Sequence, residues 1–204
     1  MVKLATKGTN MPAPLTKLDH SKLHSCGEML KSRRTIHFFQ PDEVPIALIH
    51  NAIEIARWAP NHKLTEPWHF YILGHDRIEK LIELIVDIKS SGEADPNREA
   101  ILKRLQDIPG WLVVTCKISE DPLLQQEDYA ACVCAVQNMM LYLWQANVGV
   151  KWTTGKVIRD ERLFELLALN GDEEIVVGLF WYGFPQTIPK QKRREPEDIT
   201  SVLD

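Results

Sequence analysis

Residues 59–70 read Ala-Pro-Asn-His-Lys-Leu-Thr-Glu-Pro-Trp-His-Phe, and this stretch leads from a predicted amphipathic helix through a polar loop into an apolar strand. Two prolines, Pro60 and Pro67, restrict the backbone of the loop between them. The loop crowds together four polar side chains, those of Asn61, His62, Lys63 and Thr65. Because loops held between two rigid elements commonly carry binding groups, we expect a ligand site here.

The composition is that of an ordinary globular protein of one domain. The chain has 204 residues, of which 45% are hydrophobic and 25% are charged, which is enough for a full-sized core. A net charge of −4 argues against a nucleic-acid-binding protein, and no apolar run is long enough to span a membrane. The four cysteines show no paired spacing, so we expect reduced, mostly buried thiols in a cytoplasmic protein.

We divide the chain into an N-terminal extension, residues 1–20, and a single domain, residues 21–204. The extension is rich in Lys, Thr, Asn and Pro, which predicts a flexible segment. It also lacks the apolar core of a secretory signal.

Helices and strands are predicted to alternate along the domain. Apolar residues at steps of three and four predict a helix that Asp42 would cap, and a long helix over residues 127–147. Apolar runs predict strands at residues 68–73, 111–116, 150–154 and 175–182. This pattern indicates a mixed α/β or α+β fold with a covered sheet. The helix at 127–147 is apolar nearly all round, which indicates burial in a core or a subunit interface.

Three further segments carry side chains suited to binding a phosphorylated ligand. They are Arg33-Arg34-Thr35, the segment Trp152-Thr153-Thr154 before Gly155, and a basic run near the C-terminus that includes Lys192 and Arg194. Forked guanidinium groups, ammonium groups and hydroxyls bind phosphate oxygens well. Each segment also has a simpler explanation, namely solvated arginines at a helix end, a β-prone edge strand and a solvated tail.

Together, and in this order, these motifs resemble the flavin-binding framework of the nitroreductase family. The resemblance extends over roughly residues 33–196. It implies an α+β fold of the nitroreductase type, with a central mixed sheet flanked by helices. It also implies an intertwined homodimer in which each of two flavin sites lies at the subunit interface and the helix at 127–147 forms the dimer core.

The same resemblance suggests which residues hold the FMN phosphate. Arg33 and Thr35 would contact the phosphate or the ribityl chain, with Arg34 at the edge of the ring. Lys192 and Arg194 look like the basic pair of a family motif near the C-terminus that reaches the phosphate.

The resemblance also assigns the remaining motifs. The Pro60-Asn61-His62 segment would contribute to the flavin of the other subunit. The Trp152-Thr153-Thr154 segment would pass the dimethylbenzene and N5 side of the ring, where a backbone N–H would help to stabilise the reduced flavin. The chain departs from the family pattern at Trp58, where close relatives have a basic residue, and at Glu66, where many have Gln.

The implied function is that of an FMN-dependent oxidoreductase working by a ping-pong cycle. A hydride from NADPH or NADH would pass through flavin N5 to an electron-poor small molecule such as a nitroaromatic or a quinone. Because the flavin carries the chemistry, no catalytic side chain and no metal is required. Two alternatives stay open: a flavoenzyme of the same fold that catalyses reductive dehalogenation or dehydrogenation, and a non-catalytic binding module whose basic tail contacts an acidic partner.

Overall fold

The structure is a computed structural model that describes residues 20–203. The predicted extension, residues 1–20, lies almost wholly outside the described residues, so its flexibility and its boundary stay predictions. The chain divides into two compact units, one ending at Ser32 and the other beginning at Arg33. In the first unit the described residues form one helix, α1 (His20–Ser32).

The second unit contains five helices and four strands within residues 33–203. In chain order they are α2 (Ile46–Ala56), β1 (Trp68–Ile72), α3 (His75–Lys89), α4 (Arg98–Gln106), β2 (Gly110–Lys117), α5 (Pro122–Gln145), β3 (Gly149–Thr153), α6 (Glu161–Leu167) and β4 (Glu174–Gly183). Each of the four predicted strands is confirmed to within one residue at either end.

The four strands form one sheet in the order β1-β2-β4-β3, and all neighbouring pairs are antiparallel. The parallel pairing expected of a mixed sheet is limited, between residues 20 and 203, to a bridge between Thr35 and Val150. Next to this bridge the backbone N–H of Ile36 donates to the carbonyl of Val150 over 3.3 Å. The α+β class is therefore confirmed, with a sheet that is antiparallel apart from this one contact.

Helices cover both faces of the sheet and form two apolar cores. The first core joins α2 and α5 to one face of the sheet, which includes Phe180 and Tyr182 of β4. The second joins α3, α4 and α6 to the other face, which includes Leu179 and Trp181 of the same strand. Because β4 is covered on both sides, its sequence is a continuous apolar run rather than an alternating one.

The starts of two helices differ from the prediction. Helix α2 begins at Ile46, and Pro45 rather than Asp42 occupies its N-cap, because a proline disfavours helical backbone at the residue before it. Helix α5 begins at Pro122, five residues earlier than predicted. The Asp121 carboxylate accepts from the backbone N–H of Leu123 over 2.9 Å, and a proline fits the first turn of a helix.

Helix α5 is also less completely buried than its composition indicates. It buries eight residues, among them Cys132 and the carboxylate-bearing Asp128, but it exposes Tyr129 and Cys134. Of the four free thiols, Cys116 is buried with Cys132, while Cys26 is exposed like Cys134. The expectation of mostly buried thiols is therefore wrong for half of them. None of the helices in residues 20–203 combines the length and apolar character of a membrane span.

A close approach inside the sheet can be tested at Gly178 of β4. A Cβ atom at this position would overlap the indole nitrogen of Trp152 on the neighbouring strand, and that nitrogen donates to the carbonyl of Val177 over 3.1 Å. We expect Gly178→Ala to displace the indole and to lower the free energy of unfolding by about 1–3 kcal/mol, as overpacking does in well-filled cores. Urea unfolding followed by circular dichroism measures this change.

The matched control is Gly171→Ala, because a Cβ atom there would lie 3.6 Å from the nearest atom of Phe164, an ordinary contact. We expect this variant to unfold at the same urea concentration as the parent. Equal stability of the Gly178→Ala variant and the parent would contradict the close approach of Trp152.

Candidate functional site

A cleft of about 430 Å³ opens beside strands β3 and β4, under helix α3. Aliphatic and aromatic residues form most of its wall, including Ile85, Val157, Leu179 and Trp181. Trp152 borders the cleft, but its indole packs against Phe180 in the core on the other face of the sheet. A predominantly apolar wall with a few polar groups is typical of sites for small molecules and cofactors. Two residues of the predicted segment at 152–154, Trp152 and Thr153, line the cleft. Thr154 is exposed and does not line it.

Two ammonium groups flank the ring of Trp181 in this cleft. The Nζ atom of Lys151 lies 4.5 Å from the ring centroid, and that of Lys89 lies 5.8 Å from it. Partial burial, followed by the nearby charge of Arg104, lowers the pKa of both lysines. The indole nitrogen of Trp181 is buried, and nothing in residues 20–203 accepts its hydrogen bond. The cleft therefore offers unneutralised positive charge beside an aromatic surface.

The arginine motif, residues 33–35, pairs with the part of β3 that directly precedes the cleft residues. The bridge between Thr35 and Val150 sets the motif beside the strand whose following residues line the cleft. The side chains of Arg33 and Arg34 are partly buried, and the Thr35 side chain is exposed. Arg34 donates from Nη1 to the carbonyl of Arg33 over 2.9 Å. The structure thus brings together two of the segments that the sequence singled out.

The C-terminal basic run reaches the arginine motif through Arg193. Burial, then the charge of Arg193, then that of Arg34, lowers the pKa of Arg33. Lys192 and Arg194, the two predicted phosphate ligands, are both exposed. Successive side chains of an extended segment point in opposite directions, so the residue between the predicted pair is the one beside Arg33. A role for Lys192 and Arg194 at the phosphate stays a prediction.

The polar loop after α2 has a strained backbone that is held by side-chain hydrogen bonds. Three non-glycine residues have left-handed φ values, namely 59° at Lys63, 52° at Leu64 and 46° at Glu66. The Asn61 side chain accepts from the N–H of Glu66 over 2.7 Å and donates to the Thr65 hydroxyl over 3.1 Å. Each left-handed residue of this kind costs on the order of 1–3 kcal/mol, so the loop keeps its shape only with such support.

The same loop is fastened to the N-terminal part of α5. The Thr65 hydroxyl donates to the buried carboxylate of Asp128, and His62 Nδ1 lies 2.6 Å from a carboxylate oxygen of Glu127. Sequence reasoning missed Asp128, although a carboxylate in an otherwise apolar helical stripe is a usable signal. Pro60 is exposed, and no residue of the 60–62 segment lines the cleft of its own chain among the described residues.

The two departures from the family pattern have different surroundings. Trp58 is 72% exposed, and its indole nitrogen donates to a carboxylate oxygen of Glu54 over 3.1 Å. Arg57 binds the same carboxylate through two nitrogens. Glu66 is exposed and occupies the last left-handed position of the loop.

Sequence reasoning also missed the cations of the cleft, Lys89, Lys151 and Lys156. Lys151 was detectable in part, since it interrupts an apolar strand. The other two depend on how α3 and the turn at residues 156–159 fold back onto the sheet. The described residues contain no group of three His, Cys, Asp or Glu side chains placed to hold a metal ion.

Solved structures share this fold. A nitroreductase-like family protein from Bacillus cereus superposes with a TM-score of 0.79 at 25% identity, covering 94% of this chain and all of the other. A putative nitroreductase in complex with FMN from Desulfovibrio desulfuricans gives a TM-score of 0.69 at 18% identity, covering 87% of this chain and 95% of the other. The second similarity concerns the fold alone.

Sequence comparison gives the family. A putative NAD(P)H nitroreductase from Bacillus subtilis, YfhC, is 30% identical over 173 residues, which are 83% of this chain and 89% of the relative. The profile of the nitroreductase family matches residues 30–184, three quarters of the chain. The chain therefore belongs to the nitroreductase family, as its motifs predicted, and with it to the oxidoreductases of that type.

Proposed function

We propose that this protein is an FMN-dependent oxidoreductase that takes electrons from NADPH or NADH. It would deliver them to an electron-poor small molecule such as a nitroaromatic or a quinone. The observation that carries the proposal is the bridge between Thr35 and Val150, because it sets the arginine motif beside the strand that lines the cleft. The similar fold of the FMN complex from D. desulfuricans supports the choice of cofactor.

The donor set at one end of this arrangement fits the phosphate of FMN. The guanidinium groups of Arg33, Arg34 and Arg193 are close enough for their charges to lower the pKa of Arg33. No carboxylate in residues 20–203 lies within ion-pair distance of Arg33. Forked guanidinium groups match the geometry of a phosphate, and its charge would relieve their mutual repulsion. The exposed Thr35 hydroxyl adds a further donor.

The cleft at the other end fits a flat ring with a polar edge. Ile85 and Leu179 offer an apolar wall, and Lys89 and Lys151 place positive charge where a reduced ring would carry negative charge. When bound, FMN supplies the two-electron chemistry. The chain's own residues bind and orient the ring, keep water from one face and stabilise negative charge by fixed cations. No side chain is required as a nucleophile.

We propose that the protein works as a homodimer in the cytoplasm. Large apolar side chains are exposed around α2 and the polar loop, with Ile46 54%, Trp58 72% and Leu64 80% exposed. Large exposed apolar surfaces commonly mark protein interfaces. The C-terminal segment adds exposed Ile188 and Ile199. In the dimer the Asn61-His62 segment would approach the cleft of the partner, and the exposed free thiols suit a reducing compartment.

The proposed chemistry predicts a coloured protein. We expect purified protein to show flavin absorbance bands that bleach on anaerobic addition of NADPH or NADH. Reoxidation by a nitroaromatic, a quinone or a halogenated phenol would then identify the acceptor class, and halide release with the last would select reductive dehalogenation. A colourless protein that also fails to take up added FMN would contradict the proposal and favour a non-catalytic module.

The phosphate site predicts a specific loss of cofactor affinity. We expect Arg33→Ala to weaken FMN binding by about ten- to a hundredfold, since a hydrogen bond to a charged group contributes roughly 1.5–3 kcal/mol. Fluorescence quenching on titration of FMN into apoprotein measures the affinity. Arg162→Ala is the control, because Arg162 pairs with Asp160 at the start of α6. Unchanged FMN affinity of the Arg33→Ala variant would remove Arg33 from the site.

A site shared between subunits predicts complementation on mixing. The Arg33→Ala and Asn61→Ala homodimers would each have two defective sites. A mixed dimer would regain one intact site. Both substitutions would fall in one of its two sites, and the other site would combine an unchanged Arg33 with an unchanged Asn61. We therefore expect mixed, refolded protein to recover FMN binding in up to half of the sites of the mixed dimers. Recovery no greater than the average of the two homodimers would mean that each site is built from one chain.

A further inference from the structure

A second groove, of about 290 Å³, lies between helix α4 and the segment that follows the arginine motif. Phe38 lines it and is 55% exposed. The guanidinium of Arg104, in the last turn of α4, lies 5.6 Å from the centroid of the Phe38 ring. Lys103 and Gln186 line the groove as well. The groove thus combines an open aromatic face with two adjacent cations.

Positive charge continues from this groove into the cleft. Arg104 lines the groove, and after burial its charge also lowers the pKa of Lys89 and of Lys151, which line the cleft. His37 lines the groove as well, and burial, then the charge of Lys151, then that of Arg104 lowers its pKa. We call the four cations Lys103, Arg104, Lys89 and Lys151 the basic row.

The basic row has no internal neutralisation in the part of the chain that the structure describes. None of its four cations lies within ion-pair distance of a carboxylate among residues 20–203. The chain as a whole carries a net charge of −4, so this concentration of positive charge is local. Like charges that lie near one another repel each other, and a polyanionic ligand along the row would turn that repulsion into binding free energy.

We propose that the basic row binds the phosphates of NADPH, with the adenosine 2′-phosphate at Lys103 and Arg104, so that the protein selects NADPH over NADH. This inference rests on the proposed function, in which the flavin ring would occupy the cleft and the nicotinamide would stack on the exposed face of that ring. The diphosphate would then follow the row toward the groove, and the adenine would lie against the face of Phe38. Aromatic and guanidinium faces both stack on nucleobases.

The charges of the groove favour the phosphate over a hydroxyl. In NAD-specific sites a carboxylate commonly accepts a hydrogen bond from the ribose 2′-hydroxyl, whereas an arginine accommodates the 2′-phosphate. Asp107 lines this groove, but one carboxylate faces the two cations Lys103 and Arg104. The local charge is therefore positive, and the aromatic face of Phe38 distinguishes a nucleotide from inorganic phosphate.

The test measures binding of two fragments that differ only in the 2′-phosphate. Adenosine 2′,5′-bisphosphate and adenosine 5′-monophosphate would be titrated calorimetrically into the purified, FMN-supplemented protein. We expect the bisphosphate to bind at least about tenfold more tightly, because the additional phosphate gains charge-assisted hydrogen bonds. Lys103→Met and Arg104→Gln should each reduce this preference, while Lys80→Met, at an exposed position of α3, should leave it unchanged.

Equal affinities of the two fragments, or a preference that survives both substitutions, would overturn the inference. The flavin spectrum separates this failure from a failure of the proposed function. A protein that holds FMN and bleaches equally with NADH and NADPH, without a preference for the bisphosphate, refutes the selectivity alone. The fragments are measured by binding and not by turnover. A preference for the bisphosphate that is lost in both the Lys103→Met and the Arg104→Gln variant therefore supports the 2′-phosphate site in the groove, even if turnover is slow.

Discussion

The burial of β4 on both faces fixes the sheet edge at which the proposed cleft and the arginine motif lie. This strand pairs with β2 on one side and with β3 on the other, and it supplies side chains to both apolar cores. Strand β3 is consequently held at the edge of the sheet, where its free side is open to another segment. The residues after α1 use that edge, through the bridge of Thr35 to Val150, so the arginine motif covers a sheet edge that would otherwise be unpaired there.

Charge is distributed very unevenly over this frame. The chain is acidic overall, yet the charges of Arg193 and Arg34 lower the pKa of Arg33 after burial, and the charge of Arg104 lowers, also after burial, the pKa of the cleft residues Lys89 and Lys151. Clusters of this kind oppose folding, because like charges are partly desolvated together. A ligand that binds only the folded state offsets that cost by mass action. The anionic ligands proposed above would relieve the repulsion within both clusters.

Sequence reasoning located β1, β2 and β4 because each is a largely apolar run, and it located the shorter β3 from its β-prone residues before Gly155. It failed at the start of α2, where Pro45 blocks the helix that Asp42 was expected to cap. It also passed over the Asp121-Pro122 pair that begins α5. Short motifs such as the arginine segment were visible because their residues are adjacent. Arg104, Lys89 and Lys151 lie on three different elements, and only the packing of those elements brings their charges together.

The polar loop after α2 has a strained backbone, and it lines no part of the cleft of its own chain among the described residues. Its three left-handed residues are costly, and Asn61 and Asp128 are committed to holding them. Yet the loop lines no part of the cleft of its own chain among the described residues. The side chains of Trp58, just before the loop, and of Leu64, within it, are exposed. A rigid, strained loop within an exposed apolar surface is what a site contributed to a second subunit requires. The internal hydrogen bonds of Asn61 would then hold the segment at residues 60–62 in a fixed position for the partner's ligand, where a flexible loop would lose binding free energy to ordering.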